Sequence, residues 1–436
     1  MVTPEQIEKV RPQLVVFAER MLEDLPRSDQ RAKGELYVRG LLTDGARKSM
    51  QPMAERLGVD HQGLQQFITS STWDYRSVRA NVADWAVDAI NPDVYVVDDS
   101  GFAKDGKASP LVARQYSGTL GKVGNCQVGV SVQMVTDQAS VAANWRLFCP
   151  PSWDDATIED PALAEQTRAR RARAGIPEEV RHREKWRLAL DMLDEMLNPT
   201  TTTESSNEPG EGADGWALPK RPVVGDSGYG DAAEFRLGLT ERGLSYVLQV
   251  DPTAIAHTAD ATPVTPAFSG RGRPPKPRYP DKPSTFRELA LAAGRGACRR
   301  ITWRKGSKKT KTNPTAAIRS HFLAIRIRPA SRHIPRQPDG SLPAEWLIAE
   351  WPPDKPEPVK YWLSTMPPTT KLKTLVRLAK IRWRIEHDYR ELKTGLGLDH
   401  FEGRSYLGWH RHVTLTVLAQ AFCTLLRSDP KADAPA

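Results

Sequence analysis

Paired cysteines are missing from this chain. The four present, Cys126, Cys149, Cys298 and Cys423, lie far apart with no C-x-x-C spacing. That excludes a disulfide scaffold or zinc ribbon and predicts reduced, buried thiols. No apolar run approaches the roughly 18–20 residues of a membrane span. The opening MVTPEQIEKVRPQ lacks the apolar core of a signal peptide, so a cytoplasmic protein without a membrane partner is expected. Acids are scarce in one region. From Gly270 to Arg336, nineteen Lys and Arg face only Asp281 and Glu288, a surplus of +17; the rest of a chain of net charge +9 therefore carries −8. Phe286, Trp303 and Phe322 interrupt that basic segment, which predicts that part of it folds. A polyanion, nucleic acid first of all, is the partner such a segment suits.

The 436 residues, 26% charged and 39% hydrophobic, fit a soluble globular protein of about two to four structural units. Residues 1–90 carry apolar side chains at helical spacing in VVFAERMLEDL and MQPMAERLGVDHQGLQQFITSST. The break at Gly58–Asp60 suits a helix-turn-helix DNA reader and a plain helical hairpin equally well. Over 91–250, DVYVVDDSGF, CQVGVSVQMVTD and VAANWRLFCP read as strands, the first with Val94–Val97 ending on two acids. A helix is expected over 177–197, then a flexible loop over 198–215, a short strand RPVVGD, a helix DAAEFRLGLTERG and a strand LSYVLQV. This order is that of a ribonuclease-H-like α/β fold, a mixed sheet with flanking helices. Residues 251–368 read as a β-rich basic insertion containing a disordered loop, SGRGRPPKPRYPDKPS. Residues 369–427 return to helix, with one long helix over 370–397 and a closing one over 412–427; 428–436 is a polar tail.

Two strands run apolar residues into Asp-Ser-Gly: Val96-Val97-Asp98-Asp99-Ser100-Gly101 and Val223-Val224-Gly225-Asp226-Ser227-Gly228. Ligands of open α/β sheets gather at strand ends. Carboxylates brought together there repel unless a cation neutralises them, and oxygen-only ligation suits magnesium. A third acid would come from the late helix, which offers Glu386, Asp388 and Glu391. On a straight helix Arg382, Glu386, Arg390 and Lys393 share a face, whereas Glu391 points about 140° away from Glu386. Simple i,i+4 ion pairing explains that face equally well.

The spacing R-x-x-x-E-x-x-x-x-x-x-K in RWRIEHDYRELK resembles the Y-R-E-K signature of DDE transposases of the insertion-sequence 4-like clan. DDSGFAKDGKAS, ARQYSGTLGKVGNCQVGVSV, GDSGYG and GLDHFEGRSYLGWHRH are similar to the insertion-sequence 701 transposases of that clan, across nearly the whole chain. One departure is Ala379, where the family has a tyrosine; it bears on a terminal phosphate contact, not on the acids. The resemblance implies a ribonuclease-H-like core interrupted by a β-rich insertion, and Asp99, Asp226 and Glu386 as catalytic and metal-binding acids. Asp99 is preferred to Asp98 because the family's first acid directly precedes Ser or Thr. Asp98, Ser100 and Ser227 would support the acids from behind. Two Mg²⁺ ions, with Mn²⁺ as a substitute, would serve cleavage of element ends and joining of the 3′-hydroxyls to target DNA. Arg382, Arg390, Lys393, Lys104, Arg304 and Lys305 are expected on DNA phosphates, with Trp303 either stacked on an unpaired base or packed in the core. The implied partner is double-stranded DNA, bound by at least a dimer. The rival readings are a DNA-binding protein that has lost catalysis and a nuclease that cuts without joining.

Other motifs carry less. GDSG at 225–228 also resembles a serine-protease nucleophile motif, but no matching upstream histidine stretch or cysteine pair accompanies it. His410 and His412 stand i,i+2, which on a helix points them apart, so packing or capping is expected of them rather than metal ligation.

Overall fold

A computed structural model describes residues 4–199, 215–268, 270, 272–306, 309–310 and 313–428. Most of the loop expected over 198–215, and the polar tail, lie outside the described residues. Five helices come first, α1 (Pro4–Met21), α2 (Ser28–Leu42), α3 (Met50–Leu57), α4 (His61–Thr69) and α5 (Tyr75–Ile90). Then come β1 (Val94–Ala103), β2 (Ala113–Ser117), β3 (Lys122–Val135), β4 (Ser140–Leu147), α6 (Pro161–Ala174) and α7 (Lys185–Leu197). They are followed by β5 (Val223–Gly225), the one-turn α8 (Ser227–Gly230), α9 (Ala233–Glu241), β6 (Tyr246–Val250), β7 (Ile255–Thr258), β8 (Ser284–Thr285) and α10 (Phe286–Ala293). After these lie β9 (Arg299–Lys305), β10 (Ala317–Pro329), β11 (Glu345–Glu350) and β12 (Lys360–Ser364). The last elements are α11 (Leu372–Ile381), α12 (Trp383–Arg390), a π turn over Glu391–Gly395 and α13 (Tyr406–Ser428). The mixed α/β class with N-terminal helices is the one expected.

The chain forms two compact units, one of Met1–Asp93, Val97–Lys220 and Arg384–Ala436, the other of Val94–Val96 and Arg221–Trp383. In the first, β3 is the spine. One of its edges takes β2 antiparallel along Lys122–Cys126 and β4 antiparallel along Gly129–Val135, and β1 lies on the other. Helix α13 is buried from Tyr406 to Phe422 except at Leu407, polar side chains such as Arg411 and Thr414 included. It packs on β4 and on α1, α2, α4 and α5. Two buried arginines stitch these helices together without a carboxylate: Arg411 donates to the carbonyls of Ile68, Ser71 and Trp73, and Arg79 to Thr414 Oγ1 and the Trp145 carbonyl. His410 stacks on Tyr75 at 4.7 Å, and His412 lies 2.8 Å from Tyr37 Oη and 2.9 Å from the Gly397 carbonyl. Both histidines are packing residues, as expected.

In the second unit Val94–Val96 runs parallel to β5 and β5 parallel to β6. The sheet continues antiparallel through β12, β11, β10, β7 and β8, with β9 on β10. Helix α11 packs on β6, β9 and β10, its buried face formed by Leu375, Val376, Leu378, Ala379 and Ile381.

Several expectations need correction. β1 does not end on its acids; it continues to Ala103 because β3 pairs beside it, and Asp98 and Asp99 lie within the strand. The helix expected over 177–197 begins only at Lys185. Upstream, the carbonyls of Pro177 and Val180 accept from Arg171, and His182 N donates to Asp154 Oδ2, so that backbone is engaged elsewhere. The single helix over 370–397 is interrupted at Arg382 and widens into the π turn, where Leu396 N reaches Glu391 O at 3.1 Å. The closing helix starts six residues earlier than expected, at Tyr406. The basic loop is ordered where described: Val264 and Arg278 exchange backbone bonds, and Tyr279 stacks on His257 at 4.0 Å. All four cysteines are free, but only Cys126 and Cys149 are buried.

Candidate active site

Successive residues of a strand face opposite ways, so the adjacent acids of β1 have different surroundings. Asp98 points inward, 6% exposed, and its Oδ1 accepts the Asp99 N–H at 2.9 Å. Asp99 faces the opposite side of the strand with its side chain 24% exposed. Its Oδ2 accepts from Lys185 Nζ at 3.0 Å. Lys185 is the first residue of α7, where a cation opposes the helix dipole; the carboxylate compensates for that placement. No motif points to Lys185, because the contact joins residues 86 apart.

The rest of this unit's candidates cluster around the same strand. Ser100 is buried, its Oγ 3.4 Å from Thr119 Oγ1. Lys393, carried by the π turn, donates to the Gly101 carbonyl at 2.6 Å, and Lys104 donates to the Phe401 carbonyl at 2.7 Å. Burial pulls both ammonium groups below their usual range. Tyr389 Oη lies 2.7 Å from Ser131 Oγ; burial, and then the charge of Asp98, push this phenol well up. Glu386 and Arg390 are exposed on α12, i and i+4 on one regular helix. The interruption and the π turn leave Arg382 and Lys393 outside that regular stretch. Of the other acids nearby, Asp388 is 1% exposed, takes a hydrogen bond from Ser140 and lies 3.5 Å from Arg384 Nε. Glu391 is paired to Arg427, with one contact at 3.0 Å. Ligand atoms of His387, Asp388 and Glu391 fall within 4.8 Å of one another, but both of these carboxylates are already tied to arginines.

In the second unit Asp226 follows β5 and opens α8. Its Oδ2 lies 3.3 Å from Arg382 Nη2, and its Oδ1 is buried with no hydrogen-bond partner. Ser227 beside it is half-buried. Gly230 is required by close approach: a Cβ there would lie 1.9 Å from the Gln249 carbonyl oxygen. Trp303 is half-buried, edge-on to Phe322 at 5.5 Å, with Lys380 Nζ 4.9 Å from its ring centroid. The Arg304 guanidinium lies 3.2 Å from the Trp383 ring centroid, and Lys305 is exposed.

Comparison with known proteins completes the picture. The model of a DDE superfamily endonuclease matches residues 20–310, and that of a transposase DDE domain matches residues 200–422. A protein described as a probable transposase for insertion sequence element IS701, from Microchaete diplosiphon, is 34% identical over 96 residues, 21% of this chain. The chain spans about a quarter of that relative's length, 25%. Each family model covers more than half of the sequence, and the chain belongs to the DDE transposase family, the DDE superfamily of endonucleases.

Proposed function

We propose that this protein is a transposase that cleaves the ends of an insertion sequence and joins the freed 3′-hydroxyls to target DNA, with Asp99, Asp226 and Glu386 as its catalytic acids. The observation that carries the reading is the parallel pairing of Tyr95 with Val223 and Val96 with Val224. Beyond that pairing β5 leads to Asp226 in two residues and β1 to Asp99 in three. The family implies a divalent metal, and the donor set suits one: oxygen ligands only, among them a buried Asp226 Oδ1 that accepts no hydrogen bond. Asp99, Asp226 and Glu386 would hold it, as two Mg²⁺ ions replaceable by Mn²⁺. When bound, such a pair activates a water or 3′-hydroxyl for attack and stabilises the leaving oxygen.

The chain's own groups do the rest. Asp98 fixes the backbone at Asp99 by accepting its N–H, and Ser100 and Ser227 support the two aspartates from adjoining positions. Lys185 and Arg382 balance Asp99 and Asp226 and turn to phosphate when DNA and metal arrive. Arg390, Lys393 and Lys104 would bind backbone phosphates with the N–H groups they do not spend on carbonyls. Arg304, Lys305 and Trp303 would extend the track along double-stranded DNA. The protein would work in the cytoplasm on nucleoid DNA, two copies holding two ends; no described helix is long and apolar enough to cross a membrane.

The test uses the DNA flanking the gene. Duplexes carrying its terminal inverted repeats are incubated with Mg²⁺ and either the wild type, Asp226→Asn or Glu386→Gln. Nicking and joining by the wild type alone supports the reading. Nicking without joining leaves a nuclease, and binding without nicking leaves a DNA-binding protein. Undiminished nicking and joining by both variants removes the proposed acids.

A further inference from the structure

The β2–β3 hairpin is bent back over β1. Gly101 makes this possible, because a Cβ there would lie 2.0 Å from Ser117 Oγ and 2.8 Å from Ser117 Cβ. Thr119 Oγ1 then accepts the Gly101 N–H at 3.3 Å. Residues two apart on a strand share a face, so Gly101 marks the side of β1 that carries Asp99, roughly 7 Å along the strand. Ser117 therefore sits on the Asp99 face, while Thr119 reaches round to Ser100 at 3.4 Å.

The hairpin's outward side has the opposite polarity to a folding surface. Tyr116 and Val123 are direct cross-strand partners and stand 64% and 51% exposed, while Ser117 is 1% exposed. Arg114 and Lys122 are exposed on the same hairpin, and no acid occurs from Ala113 to Cys126. Asn125, opposite Arg114, donates to the carbonyls of Lys104 and Gly106, so the hairpin base is braced as well as its tip. By strand alternation Arg114 shares the face of Tyr116 and Val123, whereas Lys122, paired with Ser117, projects from the other side at the hairpin tip. An aromatic–aliphatic pair beside a cation, on a braced support, matches the chemistry of a nucleobase and its phosphate.

We propose that Tyr116, with Val123 beside it, is a stacking platform for an unpaired base of the DNA strand presented to Asp99, with Arg114 on the adjoining phosphate. This rests on the functional reading above. The full chain would be photocrosslinked to inverted-repeat duplexes carrying 5-iodouracil at successive positions around the cleavage point, and the crosslink mapped by mass spectrometry. A crosslink to Tyr116 from one or two positions is expected. Tyr116→Phe should keep it; Tyr116→Ala should lose it and bind the end about 10-fold more weakly, with wild-type melting behaviour and an unchanged salt slope. Arg114→Ala should instead flatten the log–log salt dependence by about 0.9. If the wild type binds and cleaves the ends, yet residue 116 never crosslinks and Tyr116→Ala binds equally well, the platform is refuted. Altered self-association of Tyr116→Ala with unchanged DNA affinity would make this face a protein interface and refute it too. If the wild type does not bind the ends, the functional reading fails first and takes this proposal with it.

Discussion

Replacing Lys185 by methionine isolates the electrostatics of the first acid. The methionine keeps most of the stem that lies near Phe148 but removes the ammonium, whose Nζ is 3.0 Å from Asp99 Oδ2 and 5.7 Å from the Phe148 ring centroid. Both side chains retain solvent, 32% for Lys185 and 24% for Asp99. The pair therefore belongs near the upper end of the range for exposed ion pairs, about 1 kcal/mol. A divalent ion that takes Asp99 as a ligand must displace this ammonium or sit beside it. Removing it should lower the half-saturating Mn²⁺ concentration about 5-fold, the factor equivalent to about 1 kcal/mol. Isothermal titration or the electron paramagnetic resonance signal of free Mn²⁺ would measure this. The gain should shrink at 1 M salt, where the screening length falls to about 3 Å, and Lys185→Arg should behave as the wild type. Unchanged or weaker Mn²⁺ binding by Lys185→Met, with wild-type melting, would refute the argument that Lys185 competes for that carboxylate.

Three further predictions concern the scaffold. Burial pulls the His412 imidazole down to about 4 from an ordinary 6.5, so it is neutral when folded, and the unfolded chain takes up the extra proton. Its contribution is full above pH 6.5 and lost as pH falls toward 4; urea titrations across that window should show a shallower pH dependence in His412→Asn. Arg411→Leu leaves three carbonyls, those of Ile68 and Trp73 in buried bonds, without their donor and should destabilise by about 3 kcal/mol. Arg411→Lys should recover only part of that denaturant midpoint, since an ammonium lacks the guanidinium fork. Gly230→Ala places a methyl against the Gln249 carbonyl oxygen, a backbone atom that cannot swing away, and should lower stability by about 3 kcal/mol; a wild-type melting temperature would contradict the close approach.

What was legible in the sequence was whatever repeats locally. Val94–Val97 and Val223–Val224 announce themselves as buried strands, and both run into Asp-Ser-Gly, so the acids could be named before any fold was known. Helix α6 carries no apolar periodicity to read, because its buried face is Ala164, Thr167, Arg171 and Ala174, with hardly an apolar side chain larger than alanine. Strand β2 hides in the sequence because Arg-Gln-Tyr-Ser alternates with its apolar member facing solvent, the reverse of a half-buried strand. The break at Arg382 and the π turn defeat any argument that winds a helix uniformly at about 100° per residue. Lys185 and Tyr116 depend on tertiary placement, which no spacing along the chain encodes.

The burial of α13 among the first helices has a consequence for biosynthesis. The ribosome makes α1, α2, α4 and α5 first, yet the carbonyls of Ile68, Ser71 and Trp73 find their donor only when Arg411 emerges, some 340 residues later. Until then those helices lack the surface that completes their core. A product of premature termination would therefore be left with an unfinished amino-terminal region, open to proteolysis and poorly suited to competing with the full-length protein.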